Sequence, residues 1–305
     1  MTGSDGREQR VLWVSIAVSA ALGALGVVWG VVAGSQMILL DGAYGLIGIV
    51  TSVLLLRASA LAAQRPSRTY PFGRQASTPL AIGIQGLVIL ATLGYAALEA
   101  AAALLDGGSQ VSAGAGLAYA AIVTSACLAT WVWLRRQAAG SELLRAESMG
   151  WRIAAFRGVG MLVGFSVLLV VSGSALDRLA PSVDPVMVLV TCVVFLPEPL
   201  RMVRSTFLEL LERAPTDDVA TPVRAALDRV AAGFELRDVV VRMSKLGPKL
   251  YLEVEALAAP EVTLGQVDEL RRAIVQGLDH LPYAVWLNLD LYPDPSPEGP
   301  ADVRT

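Results

Sequence analysis

Residues 36–57 read QMILLDGAYGLIGIVTSVLLLR. Between Gln36 and Arg57 the only charged side chain is Asp41. A helix needs about 20 apolar residues to cross a hydrocarbon core of about 30 Å, and this stretch has that length. Its polar residues form no continuous wet face, as a helix surrounded by lipid or protein requires. A carboxylate inside such a helix costs about 2.5–3.5 kcal/mol on insertion scales, so it is a functional residue by default. Two readings of Asp41 stand side by side. It is an ion ligand or proton carrier facing the bundle interior, or it sits near a helix end and reaches water.

Working outward, five more apolar runs fall at about 11–33, 79–104, 114–134, 149–172 and 184–204. The first follows Arg7 and Arg10 like a signal peptide, but it exceeds the usual apolar region of about 7–15 residues and more runs follow. Across 305 residues, 54% are hydrophobic and 17% charged, with a mean hydropathy of +0.58. A soluble domain carries about 25% charged residues. The charge is also uneven: residues 1–205 carry a net +4 and residues 206–305 a net −7. The pattern is a membrane part followed by a soluble part, and the acidic end opposes nucleic-acid binding. Cys127 and Cys192 lie in apolar runs without CxxC spacing, as small buried hydrophobes do.

Orientation follows from the basic residues. Arg7, Arg10, Arg57, Arg65, Arg68, Arg74, Arg135, Arg136, Arg145, Arg201 and Arg204 fall on one side of a six-helix arrangement, and Arg178 on the other. The positive-inside rule then predicts that both termini and the acidic domain are cytoplasmic, in a multi-pass protein of the plasma (inner) membrane. Gly23, Gly26 and Gly30, Gly42, Gly45 and Gly48, and Gly158, Gly160 and Gly164 permit close helix approach.

Other polar groups sit in the apolar runs. Arg152 can snorkel to the interface, whereas Arg157 lies about one and a half turns deeper and needs an internal partner or a wet cavity. Gln85 is deep enough in the third run to line a path or bond a neighbouring helix. Glu99 reads as interfacial, and Glu198, between Pro197 and Pro199, as structural. Asp184 and Pro185 are read as the opening of the sixth helix, where a carboxylate suits the positive dipole end.

The last third changes pattern. Helical spacing occupies 218–232 and 263–279, the latter capped by Thr263. Strand-like segments occupy 236–243, 249–257 and 283–291, with Gly247 and Pro248 turning between the first two. The order αββαβ predicts a small α+β, ferredoxin-like domain with two helices on one face of a three-stranded sheet. Its thin core leaves a face available for dimerisation. The expected layout is an N-terminal tail at 1–10, a six-helix transmembrane domain at 11–205, a linker at 206–217, the dimerisation domain at 218–292 and a disordered tail at 293–305.

Several stretches resemble the cation diffusion facilitator family of metal-ion/proton antiporters. SQMILLDGAYGLIGIVTSVLLL is similar to that family's second helix, and RTYPFGRQASTPLA to the loop after it. LLRAESMGWRIAAFRGVGMLVGF resembles the fifth helix. DPVMVLVTCVVFLPEPLRMVRSTFLELLERAP resembles the sixth helix running into its linker. The resemblance covers about residues 11–292. It implies a homodimeric secondary transporter exporting a cation, with a divalent metal as substrate rather than cofactor, the lipid bilayer as its setting and no enzymatic activity. No nucleophile–base pair or phosphate loop contradicts this.

The resemblance also implies where the metal would bind. The family carries an Asp with a second Asp or His four residues on in helix two, and a His or Asp with an Asp four apart on helix five. The corresponding residues here are Asp41 with Gly45, and Gly150 with Ala154, so Asp41 alone keeps a ligand. Loop positions that bind metal in some relatives read Ser67, Tyr70 and Arg74, and the single histidine, His280, reads as a surface residue. Arg157 shares a helix face with positions 150 and 154. Its guanidinium is expected to replace the metal's charge by pairing with Asp41, as a gate or as a lock. The transport-site candidates are therefore Asp41, Arg157 and Gln85. The alternative function is a dimeric membrane scaffold or regulator that is transport-inactive or altered in specificity.

Overall fold

The computed structural model describes residues 3–137, 142–172, 174, 176–234 and 236–293. The chain runs α1 (Gly3–Ala33), α2 (Gln36–Ala62), α3 (Ser77–Leu105), α4 (Ala113–Gln137), α5 (Glu142–Val171), α6 (Ala180–Phe195) and α7 (Pro197–Leu210). It continues as α8 (Asp217–Gly233), β1 (Arg237–Leu246), β2 (Lys249–Leu257), α9 (Leu264–Gly277) and β3 (Ala284–Tyr292). Six segments are long and apolar enough to cross a membrane: Arg10–Ala33, Gln36–Ala62, Ser77–Leu105, Ala113–Gln137, Glu147–Val171 and Asp177–Leu210. The protein is a multi-pass membrane protein with a small α/β region after its helices.

Contacts divide the chain into two compact units. One comprises Met1–Leu54 and Gln85–Arg201; the other comprises Leu55–Ile84 and Met202–Thr305.

In the first unit, glycines set how closely α1 and α2 approach. A Cβ on Gly26 would stand 2.6 Å from the Gly42 Cα and 2.6 Å from the Tyr119 hydroxyl, and one on Gly30 would stand 2.6 Å from the Leu39 amide nitrogen. The two helices are joined by Gly34 and Ser35 alone, with Gly34 at φ +64°, a conformation that glycine adopts without a Cβ penalty. Trp151 Nε1 donates to Ser15 Oγ (2.6 Å), which donates to Glu147 Oε1 (2.6 Å), so α5 is tied to α1 by a buried polar chain.

The start of α2 corrects the reading of Asp184. That residue does not open its helix. It lies four residues in from Ala180, buried, and serves a different helix. Ser35 Oγ donates to Asp184 Oδ1 (2.6 Å), and the Gln36 amide donates to Asp184 Oδ2 (2.9 Å). Ser35 Oγ also accepts from the Ile38 amide (3.2 Å). A carboxylate thus satisfies the free N–H groups at the α2 N-terminus, where the helix dipole favours negative charge. Pro185 likewise lies inside α6. Its missing N–H leaves the Pro181 carbonyl free, and the Ser109 amide fills that vacancy at 2.7 Å.

Helix boundaries differ from the sequence reading in three further places. α1 already begins at Gly3, within the expected tail. α5 begins at Glu142 rather than 149. After a break at Leu196, α7 carries the helix to Leu210, so the segment between α7 and α8 is 211–216 rather than 206–217. The break falls at Pro197–Glu198–Pro199, as prolines dictate. Of the expected disordered tail at 293–305, residues 294–305 lie outside the described residues.

In the second unit, β1 pairs antiparallel with β2 and β2 parallel with β3, giving the order β1-β2-β3. Leu250, Leu252, Val254 and Ala256 alternate inward along β2, and the first three share a core with Val223, Leu227, Leu270 and Ile274 of the two helices. Burial of each large aliphatic side chain contributes about 1.5–3 kcal/mol. Thr263 caps α9 in a reciprocal capping box with Gln266. The hairpin turn is held from outside the sheet: Glu209 Oε1 accepts from the Gly247 amide (2.7 Å) and from Lys245 Nζ (3.2 Å). Phe72 packs edge-on against Trp286 at 5.8 Å.

Removing the Asp184 carboxylate leaves the α2 N-terminal amides and the Ser35 hydroxyl without an acceptor, a loss of about 1–3 kcal/mol. Asp184→Ala is expected to lower the thermal midpoint of the purified protein in detergent by several degrees. Asp184→Ala combined with Ser35→Ala should cost less than the two single losses together, because both remove one network.

Candidate transport site

Asp41 and Arg157 meet. Arg157 Nε of α5 lies 3.0 Å from Asp41 Oδ1 of α2, with the two side chains 21% and 8% exposed. The Nε–H is not aimed at the carboxylate, so the contact is an ion pair without a directed hydrogen bond. The other carboxylate oxygen is also engaged: the Tyr119 hydroxyl of α4 donates to Asp41 Oδ2 at 3.0 Å. The guanidinium carbon stands 5.1 Å from the centre of the Tyr44 ring, one turn along α2, in a cation–π arrangement.

The local sequence explains this placement. Gly42, beside Asp41, lets α1 close on α2, and Gly26 on α1 leaves space for the Tyr119 hydroxyl. Tyr119 is fully buried, with its ring 6.0 Å from Trp29. Gly158, beside Arg157, faces Thr124 of α4, whose buried hydroxyl has no hydrogen-bond partner among the described residues.

Beside the pair lies a cavity of about 10 Å³, lined by Asp41, Arg157, Tyr44, Met37, Thr191 and Phe195, with Leu40 and Leu93. That is about the space one water needs. Thr191 Oγ1 donates to Met37 Sδ at 3.6 Å. A fully hydrated divalent ion does not fit in that space. No group of three or more His, Cys, Asp or Glu able to hold a metal occurs among the described residues.

The positions implied as metal ligands have room for side chains. A Cβ on Gly45 would stand 3.6 Å from the Gly23 Cα, an ordinary contact, and one on Gly150 would meet nothing within 4 Å. Ala154 is half-buried. Gln85 of α3 is half-buried and does not line the cavity. In the loop, Ser67 and Tyr70 form a turn through the Ser67 hydroxyl (3.2 Å), and Arg74 stacks over the Tyr70 ring at 4.3 Å. His280 and Glu198 are exposed. Sequence reasoning missed Tyr119, Tyr44, Met37 and Thr191. The available signal was Tyr119, a phenol in the middle of the apolar run GLAYAAIV.

The cation efflux transmembrane domain matches residues 12–211. The chain belongs to the cation diffusion facilitator family. No curated protein matches the chain. Members of this family are cation transporters rather than enzymes.

Breaking a buried ion pair from one side costs about 3–5 kcal/mol, whereas replacing both partners by neutral groups is often tolerated. Asp41→Asn and Arg157→Gln should therefore each lower the thermal midpoint, and the double variant should recover most of the loss. Silent single variants would show that the pair contributes nothing to the fold.

Proposed function

We propose that the protein is a secondary active cation transporter working by divalent metal cation/proton antiport, with Asp41 as the exchanging carboxylate and Arg157 as its resting counter-ion. The observation that carries this is the Asp41–Arg157 pair beside a water-sized cavity. One carboxylate holds one cationic partner at a time. A proton, a metal ion and the guanidinium therefore compete for it, and such competition is what exchange requires. The donors nearby are oxygens of Asp41, Tyr119 and Thr191, which suit a weakly held, partly hydrated ion better than a tetrahedral zinc site. In this reading both termini are cytoplasmic, the membrane is the plasma membrane, and the region 218–292 joins two copies as a homodimer.

A second reading has support of its own. Both oxygens of Asp41 are engaged, and Gly45, Gly150 and Ala154 offer no ligand, as in a family member that serves as a membrane scaffold or regulator without carrying metal.

Proteoliposomes enclosing a pH-sensitive dye separate the two. An imposed manganese or zinc gradient is expected to drive proton movement at a rate reduced at least tenfold by Asp41→Ala. Absence of flux for zinc, manganese, iron, cobalt, magnesium and monovalent ions, in a reconstituted and folded protein, would establish the scaffold reading instead.

A further inference from the structure

A cleft of about 740 Å³ runs between α5 and α6, next to but distinct from the small cavity at Asp41. Its walls are apolar, with Phe156 and Val167 on α5 and Val186 and Val190 on α6. Arg157 is its only charged lining residue, and Asp41 does not line it. Ser182 and Thr191 supply its only hydroxyls, and that of Thr191 is already directed to Met37.

Three features define an occupant. The volume falls within the roughly 300–1,000 Å³ of small-molecule sites. The polar groups are too few to hold a file of waters, each of which needs two to four partners. The guanidinium carries five N–H donors; among the described residues its buried Nε makes no directed hydrogen bond, only the ion pair, and its carbon stands over the Tyr44 ring. Donors left unmatched in an apolar setting are costly, and a planar carboxylate matches a guanidinium fork to fork. A bulky zwitterionic or phosphodiester headgroup would need further polar wall that the cleft lacks.

We propose that the α5–α6 cleft binds a long-chain carboxylate, its apolar chain between the two helices and its carboxylate on Arg157. Asp41 keeps Tyr119 on its second oxygen when it shares the guanidinium. Gly160 forms part of the cleft wall, and a Cβ placed there would meet nothing within 4 Å. A larger residue at this position starts from open space in the cleft wall. The assignment concerns the occupancy of the cleft and stands whether or not a cation moves through Asp41.

The test is native mass spectrometry of the full chain released from a neutral sugar detergent, with palmitate and with hexadecanol, an uncharged probe of equal chain length. One palmitate per chain is expected, with hexadecanol retained at least tenfold less. Arg157→Gln should lower palmitate to the level of the alcohol, and Gly160→Leu should remove both. A diazirine-bearing palmitate on the unsubstituted protein should label peptides of α5 and α6, so the result does not depend on the folding of a variant. Equal retention of palmitate and hexadecanol, binding unaffected by Gly160→Leu, or labelling confined to other helices would overturn the assignment. So would displacement of palmitate by an acidic phospholipid at equal concentration. Palmitate binding that persists in a protein without ion flux would leave this inference intact and remove the transport reading alone.

Discussion

A single guanidinium–carboxylate contact in the middle of the bundle sets the terms for its neighbours. Either charge alone would be expensive among apolar side chains, and together they approach neutrality at 3.0 Å. Close approach between α1 and α2 at Gly26 and Gly42 brings the carboxylate within reach of Tyr119 on α4, while α5 presents Arg157 from another side. Three helices thus supply one polar centre. A tetrahedral metal site would ask the same helices for four ligands. Here a side-chain cation faces the carboxylate, and the space beside the pair is about one water.

The membrane unit is pinned at a second level by Asp184. This buried carboxylate ends the α1–α2 turn by accepting from Ser35 and Gln36, and so fixes the start of α2 at Gln36. The other unit is built on different contacts. It combines the ends of α2 and α3, the loop between them and α7 with the α/β region. Glu209 holds the β1–β2 turn, and Phe72 lies against Trp286. In the loop, Ser67 and Tyr70 form a turn and Arg74 stacks over the Tyr70 ring.

Much of this was readable in advance, for local reasons. Six apolar runs of membrane length need no tertiary information, because the bilayer imposes the length. The period-two alternation of Leu250, Leu252 and Val254 and the Thr263 cap report strand and helix directly from neighbours in the chain. Asp41 and Arg157 stood out because each is a charge without a nearby partner in its own segment. Asp184 was misread for the opposite reason: Pro185 beside it looked like a local helix start, while its true partners, Ser35 and Gln36, lie about 150 residues away in sequence.

The amino-acid order specified the number of membrane helices, the αββαβ region and the two charges that had to find each other, because hydropathy and periodicity are properties of contiguous residues. Folding in three dimensions settled what no window of sequence contains. It chose Tyr119 as the second partner of Asp41, assigned Asp184 to another helix, reduced the central cavity to the size of a water and opened an apolar cleft beside Arg157. Each of these depends on distances between segments, and those distances are set by which small residues allow two helices to touch.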